Sequence, residues 1–253
     1  MKILTFRIKE TLFLLVGLLL MVNLTFAYNN SDLESVLAGN SCPGGDLSGA
    51  DLSGLDLSGK NFQGADFTQA RLHSTKLNNA NLQKACFHSA LLVKAQLRGA
   101  LLQECEMNRA SLQEADLTNS KLQYAQLKRA QLYKAKLLNA QLQYVTGDEI
   151  SLINAEADFA DFTGANIPYS WLCDAKLKKA IFTNANLTGA RLQKAVLKEA
   201  DLKSVQLAQG ILREADLEEA NLARANLRGV DLRGAKLTYT IFSNAIQDEV
   251  IWE

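Results

Sequence analysis

From Leu47 to Phe242 every fifth position is large and apolar: of these 40 positions, 38 are Leu, Phe, Ile or Met, the exceptions being Gly147 and Ala157. Three residues after each, and so two ahead of the next, from Ala50 to Ala245, 28 of 40 positions are Ala. The unit is therefore Ala-x-Leu-x-x. A helix does not accommodate this spacing, because five residues at about 100° each carry the apolar position round by about 140° and spread Leu over the whole cylinder. In an extended strand Ala and Leu two apart share one side, but the next Ala, three residues on, would face the other way unless the chain turns. Each unit thus predicts a short strand followed by a corner, and Ser48-Gly49, Ser53-Gly54 and Ser58-Gly59 supply residues suited to corners. Leu47, Leu52, Phe62, Phe67, Leu112 and Leu187 belong to the expected core. Each buried Leu contributes about 1.5 to 3 kcal/mol, and Ala fills gaps where a larger residue would overpack a thin interior.

A chain that turns the same way every five residues with one side apolar winds into a solenoid whose successive coils pair through their backbones. The stretches ADFTQARLHSTKLNNANLQKA (65–85) and ANLTGARLQKAVLKEADL (185–202) resemble the pentapeptide-repeat family. That resemblance covers about residues 45–246. It implies an all-β fold, a right-handed quadrilateral parallel β-helix with four units per coil, hence about ten coils and no internal ligand cavity.

Four segments follow along the chain. Residues 1–27 read as a signal peptide: Lys2, Arg7 and Lys9 precede a Leu-rich run from Thr11 to Met21, and Thr25-Phe26-Ala27 forms a small-x-small cleavage site. The alternative is an uncleaved anchor, though the run is shorter than the ~18 to 20 residues of a spanning helix and Asn23 interrupts its end. Residues 28–44 read as a cap with a short helix, Ser31 as N-cap and Gly39 after its last turn. Residues 45–246 form the solenoid, broken near 144–162, where either a thin core continues or a loop projects. Residues 247–253, QDEVIWE, drop the unit and either cap the end or self-associate through Val250, Ile251 and Trp252. Dimerisation through C-terminal elements, which the resemblance implies for other members, keeps a homodimer open.

With 20 residues per coil, positions 20 apart stack, and surface chemistry reads down columns. Lys94, Glu114 and Lys134 share one, with Lys194 and Glu214 further along, an alternation that suits solvated ladders. Tyr124 stacks on Tyr144, beside Gln123 and Gln126, and Trp171 lies one coil from Arg191, in reach of a cation-π contact. These four, Tyr124, Tyr144, Trp171 and Arg191, are the candidate partner-binding surface, because exposed aromatics on a small-residue surface are the usual anchors of association. Leu91, Leu101, Ile181 and Ile211 face outward singly and need no special account. Cys86 and His88 point the same way around Phe87, with Asp66 and Glu106 one coil to either side; these are zinc-ligand types, but ordinary surface polarity accounts for them. Cys105 stands at an Ala position and is expected to be buried.

Charge narrows the function. The 253 residues carry 27 basic and 27 acidic side chains, and removing Lys2, Arg7, Lys9 and Glu10 with the leader leaves 24 against 26. Neither nucleic-acid binding nor stable membrane insertion of the processed chain is expected. The four cysteines show no dense disulfide spacing. A convex surface of flat ladders offers no pocket for paired catalytic groups, so no enzyme, cofactor or metal is expected. The leading expectation is an exported scaffold, periplasmic or extracellular, that presents rigid faces to an unknown protein partner. Two alternatives come from the resemblance: a DNA-mimic protector of a type II topoisomerase, which the leader and neutral charge oppose, and a secreted effector acting on a host cell.

Overall fold

The computed structural model describes residues 28–253 as a right-handed β-helix solenoid, capped at its start by one helix, α1 (Asn30–Leu37). The leader expected over 1–27 lies outside the described residues. Each straight segment makes a parallel bridge with the residue 20 positions on, from Asp46 with Asp66 to Asp231 with Ile251. Between successive bridges the chain makes one turn every five residues.

The unit's chemistry explains that regularity, and the repeat around Leu112 is representative. The Leu112 N–H donates to the Gln131 carbonyl at 2.7 Å and Glu114 N–H to Tyr133 at 2.9 Å, both one coil ahead, while Asp116 N–H donates back to Ala95 at 2.9 Å. The turn closes when Ala115 N–H donates to the Leu112 carbonyl at 3.0 Å. Its second central residue, Glu114, takes φ 57°, which makes it a type II turn. Only the first central position lacks a backbone partner for its N–H. An Asp or Asn ahead of the core residue fills that need, as Asp116 Oδ1 does for Thr118 N–H at 3.1 Å, so the acidic or amide residue that precedes many of the leucines caps its own turn. Both prolines, Pro43 and Pro168, occupy this same first position, where a missing N–H breaks no ladder bond and φ near −65° fits the turn.

The interior is a single apolar column. Leu47, Leu52, Phe62, Phe67, Leu112 and Leu187 are fully buried, and the intervening alanines are buried with them. Phe67 stacks on Phe87 with ring centroids 4.9 Å apart, and Phe162 on Phe182 at 4.7 Å, repeating the coil spacing of about 4.8 Å. Most polar residues at Ala positions find a partner inside the wall: Thr75 Oγ1 donates to the Leu52 carbonyl at 2.9 Å and Cys105 Sγ to Leu82 at 2.8 Å, whereas the buried Ser170 hydroxyl has none among the described residues. Burial pushes the Cys105 thiol far above its ordinary pKa, leaving it an inert, protonated core group.

Three readings of the sequence are corrected or completed here. The N-cap of α1 is Asn29, whose side chain accepts from Ser31 N–H at 3.0 Å, not Ser31 itself; both are good capping residues, and the sequence offers no way to rank them. Helix α1 seats on the first coil through buried Val36 and a bond from Asp46 N–H to Asp32 Oδ2 at 2.9 Å. No loop projects across 144–162: Thr146 bridges both Gln126 and Asn166, and Ser151 both Gln131 and Trp171. The interruption is confined to the turn at Gly147, where the closing bond from Ile150 N–H is missing, while buried Ile150 restores apolar bulk at an Ala position. At the far end, the 247–253 segment keeps the register, since Ile251 bridges Asp231 and Trp252 packs edge-on against Phe242 at 5.9 Å. Among the described residues no helix is long and apolar enough to cross a membrane.

Candidate functional site

Tyr124 and Tyr144 occupy the second central position of two stacked turns, with φ 64° and 58°, so their side chains project outward from the wall. Their rings stack at 5.3 Å and 8°, and they are 58% and 49% exposed. Stacking is thus confirmed as the geometry of this pair, yet it leaves about half of each ring in solvent. Below them Gln123 Nε2 donates to Gln141 Oε1 at 2.6 Å and Gln143 Nε2 to Asp161 Oδ2 at 2.6 Å, while both Gln123 Oε1 and Gln143 Oε1 are buried without a partner. The stack continues onto bare backbone: a Cβ added to Gly164 would lie 2.6 Å from Tyr144 Cε1.

Trp171 and Arg191 lie on a straight segment of the coil, separated from the tyrosine pair by the turn that contains Pro168 and Tyr169. The Arg191 guanidinium sits over the Trp171 ring at 5.7 Å from its centroid. The four candidate residues therefore form two patches, not one. Sequence reasoning missed four further exposed aromatics, Tyr133, Phe159, Tyr169 and Tyr239. Three of them, Phe159, Tyr169 and Tyr239, sit at the same positive-φ turn position as Tyr124, which was the signal that would have found them. Among the described residues, five of the eight exposed aromatic side chains fall from Tyr133 to Trp171, and Tyr124 adjoins them.

Around the patches the charges are arranged in pairs. Lys94 reaches Glu114 at 3.6 Å and Lys194 reaches Glu214 at 3.7 Å, as the column reading expected, whereas Lys134 turns onto the ring of Tyr133 at 5.1 Å. Arg129 binds Glu149 at 2.9 Å and 3.4 Å through Nε and Nη2. Two shallow grooves flank this pair. One, of about 330 Å³, is lined by Gln126, Lys128, Thr146, Gly147, Asn166 and Pro168, and the other, of about 350 Å³, by Gln131, Tyr133, Ser151 and Trp171. The first lies where the coil tightens at Gly147. Cys86 Sγ lies 3.2 Å from Thr68 Oγ1, and among the described residues no group of three or more His, Cys, Asp and Glu side chains could hold a metal ion. The four cysteines are unbridged.

Fold and surface together define a β-helical repeat protein that carries its chemistry on the outside of a closed apolar column. The model of "Pentapeptide repeats" matches residues 46–83, 80–119, 110–143, 172–203, 180–218 and 211–246. The chain belongs to the pentapeptide repeat family. The unmatched interval, 144–171, is the one that holds Gly147, Phe159, Tyr169 and Trp171. Among solved structures the chain is similar to HetL, a pentapeptide repeat protein involved in heterocyst differentiation regulation from the cyanobacterium Nostoc sp. strain PCC 7120. Identity is 29% over 89% of this chain and 97% of that one, with a TM-score of 0.38. It is also similar to QnrB1, a plasmid-mediated fluoroquinolone resistance protein, at 19% identity over 74% of this chain and 88% of that one, with a TM-score of 0.38. A pentapeptide repeat protein from the Arabidopsis thaliana thylakoid lumen is 30% identical over 35% of this chain and 58% of its own, with a TM-score of 0.24. No curated protein matches the chain.

Proposed function

We propose that the protein is an exported, non-catalytic scaffold: a four-sided rod of about ten coils that binds a protein partner through its exposed aromatic side chains. The 20-residue register with a turn every five residues supports the four-sided section. The Lys2, Arg7, Lys9 and Leu-rich leader supports export to the periplasm or beyond the cell. The observation that carries the binding reading is the half-exposed Tyr124–Tyr144 stack and the Trp171–Arg191 pair, held on a ladder that needs no ordering when a partner arrives. Rigid aromatics at low entropic cost are what interface anchors require. The pairing of carboxylates with Lys and Arg along the columns removes the acidic stripe that duplex mimicry needs. Self-association through 247–253 is part of the same reading, supported by the exposed Ile251 and Trp252 beside the partly buried Phe242.

Crosslinking capture from the native cell envelope tests it. The wild-type chain is compared with a Tyr124→Ser/Tyr144→Ser/Trp171→Ser variant of matched melting temperature. A saturable protein partner that the variant loses is the expected result; capture that the three substitutions leave unchanged overturns the aromatic surface as its basis.

A further inference from the structure

The column of straight segments that carries Trp171 places flat side chains at Gln131, Trp171 and Arg191, with only a serine between the first two. Arg191, one coil further on, lies over one face of the Trp171 ring at 5.7 Å. One coil back the position holds Ser151, which has no flat group, and two coils back it holds Gln131. Trp171, Ser151 and Gln131 line the same groove of about 350 Å³, with Tyr133 at its rim. Two coil spacings put the Trp171 and Gln131 levels about 10 Å apart, with only the serine hydroxymethyl between them. That gap has the thickness of one inserted ring at the rung spacing seen elsewhere in the molecule, where stacked aromatic centroids lie 4.7 to 5.3 Å apart.

The polar rim says which ring. Arg129 and Glu149 line the groove already joined to each other at 2.9 Å, so its net charge is zero while donors and acceptors remain available at the pair's free edges. The Gln131 amide nitrogen, whose companion oxygen Oε1 already accepts from Gln113 Nε2 at 2.8 Å, adds a donor, and the Ser151 and Tyr133 hydroxyls add groups of both kinds. A phosphate-bearing ligand would need an uncommitted cation in the groove's lining, where the cation, Arg129, is engaged by a carboxylate and Arg191 lies against Trp171 from the next coil. A polyol whose edge offers hydroxyls, each both donor and acceptor, matches the rim, and its flat C–H face matches an exposed indole. We propose that this groove binds a neutral pyranose unit, stacked on Trp171 in the place of the missing rung. The site shares Trp171 with the protein-partner reading, but the two are tested separately: that reading is tested by crosslinked capture and survives if no sugar binds.

The test uses the purified full chain with Trp252→Phe, so that Trp171 is the sole tryptophan reporter. Cellobiose, maltose and di-N-acetylchitobiose are titrated against Trp171 emission and by saturation-transfer NMR. At least one is expected to bind saturably at millimolar concentration or below. Two substitutions are each expected to weaken it at least tenfold without shifting the melting temperature: Trp171→Ala, read by NMR, and Ser151→Tyr, which fills the gap with the protein's own rung. The proposal is overturned if none of the three saccharides saturates, if Ser151→Tyr binds as the unsubstituted chain does, or if indole or adenosine monophosphate binds while the saccharides do not.

Discussion

Gly147 shows what a single residue decides in this fold. A Cβ added there would sit 2.6 Å from both the Leu127 carbonyl carbon and the Lys128 nitrogen, because the coil has closed down onto its neighbour where the core leucine is absent. Backbone meets backbone, so no side chain can move aside. Gly147→Ala is expected to cost about 3 kcal/mol, the upper end for overpacking. At Gly54, φ 71°, an added Cβ meets nothing within 4 Å, and only the left-handed conformation is penalised, by about 1 kcal/mol in Gly54→Ala. Urea denaturation of the two variants measures the difference, and equal losses would refute the close-approach account. The sequence exposed Gly147 as a missing core residue because it broke a strict period. It did not reveal that Ile150 compensates or that the backbone tightens, since those depend on the neighbouring coil. Likewise the leucine period predicted the buried positions, but the outward, positive-φ setting of Phe159, Tyr169 and Tyr239 was legible only by asking where Tyr124 sat within its unit.

At the scale of one coil, the repeat is tied to its neighbours by backbone bonds first and by side-chain ladders second, and the ladders differ in strength. Lys94–Glu114, with both side chains about half exposed or more, contributes about 0.2 to 1 kcal/mol. Asp231 is different: it is buried, and Arg233 donates to it through Nε at 3.0 Å and Nη2 at 2.9 Å while Arg213 reaches it from the coil before. It also caps its own turn, accepting from Arg233 N–H at 3.2 Å. The bonds from Arg233, with those from Arg213, hold its carboxyl well below the usual carboxylate range. A carboxylate with a depressed folded-state pKa contributes stability that is complete above its unfolded pKa of about 3.9 and is lost as pH falls toward the folded value. Asp231→Asn is therefore expected to melt below wild type at pH 7, with the gap shrinking between about pH 4 and pH 2. Thermal melts across that range decide it, and a gap that stays constant with pH would show that the charge is not what Asp231 supplies. The columns of the sequence placed Lys94 with Glu114 and Trp171 with Arg191 correctly, because the 20-residue register fixes which residues stack. The register could not show that Arg213 and Arg233 converge on one acid, because that depends on where long side chains bend across a turn.

At the scale of the whole molecule, a solenoid is nearly one-dimensional: every bridge joins residues 20 apart, and each coil touches only the coil before and the coil after. Stability then resembles a sum of coil terms and interface terms, and a defect is felt first by the adjacent coils. Leu112 is fully buried between the coils that carry Leu92 and Leu132. Leu112→Ala removes about 3 kcal/mol from that layer, within the range for buried leucines, and the narrow column leaves few neighbours able to close the void. In a globular domain such a loss lowers amide protection throughout, since one cooperative unit opens as a whole. Here hydrogen exchange followed by mass spectrometry is expected to show faster exchange in peptides spanning about 90–135, with little change around Leu187–Leu232, about four to six coils away along the chain. A uniform loss across both regions would mean that the rod unfolds as a single unit. In that case the aromatic patches at 124–171 and the paired charges near Asp231 would share one stability, and a partner bound at the first would protect the second. Local loss means the opposite: the middle coils can be tightened by a ligand while the distant coils keep their own stability.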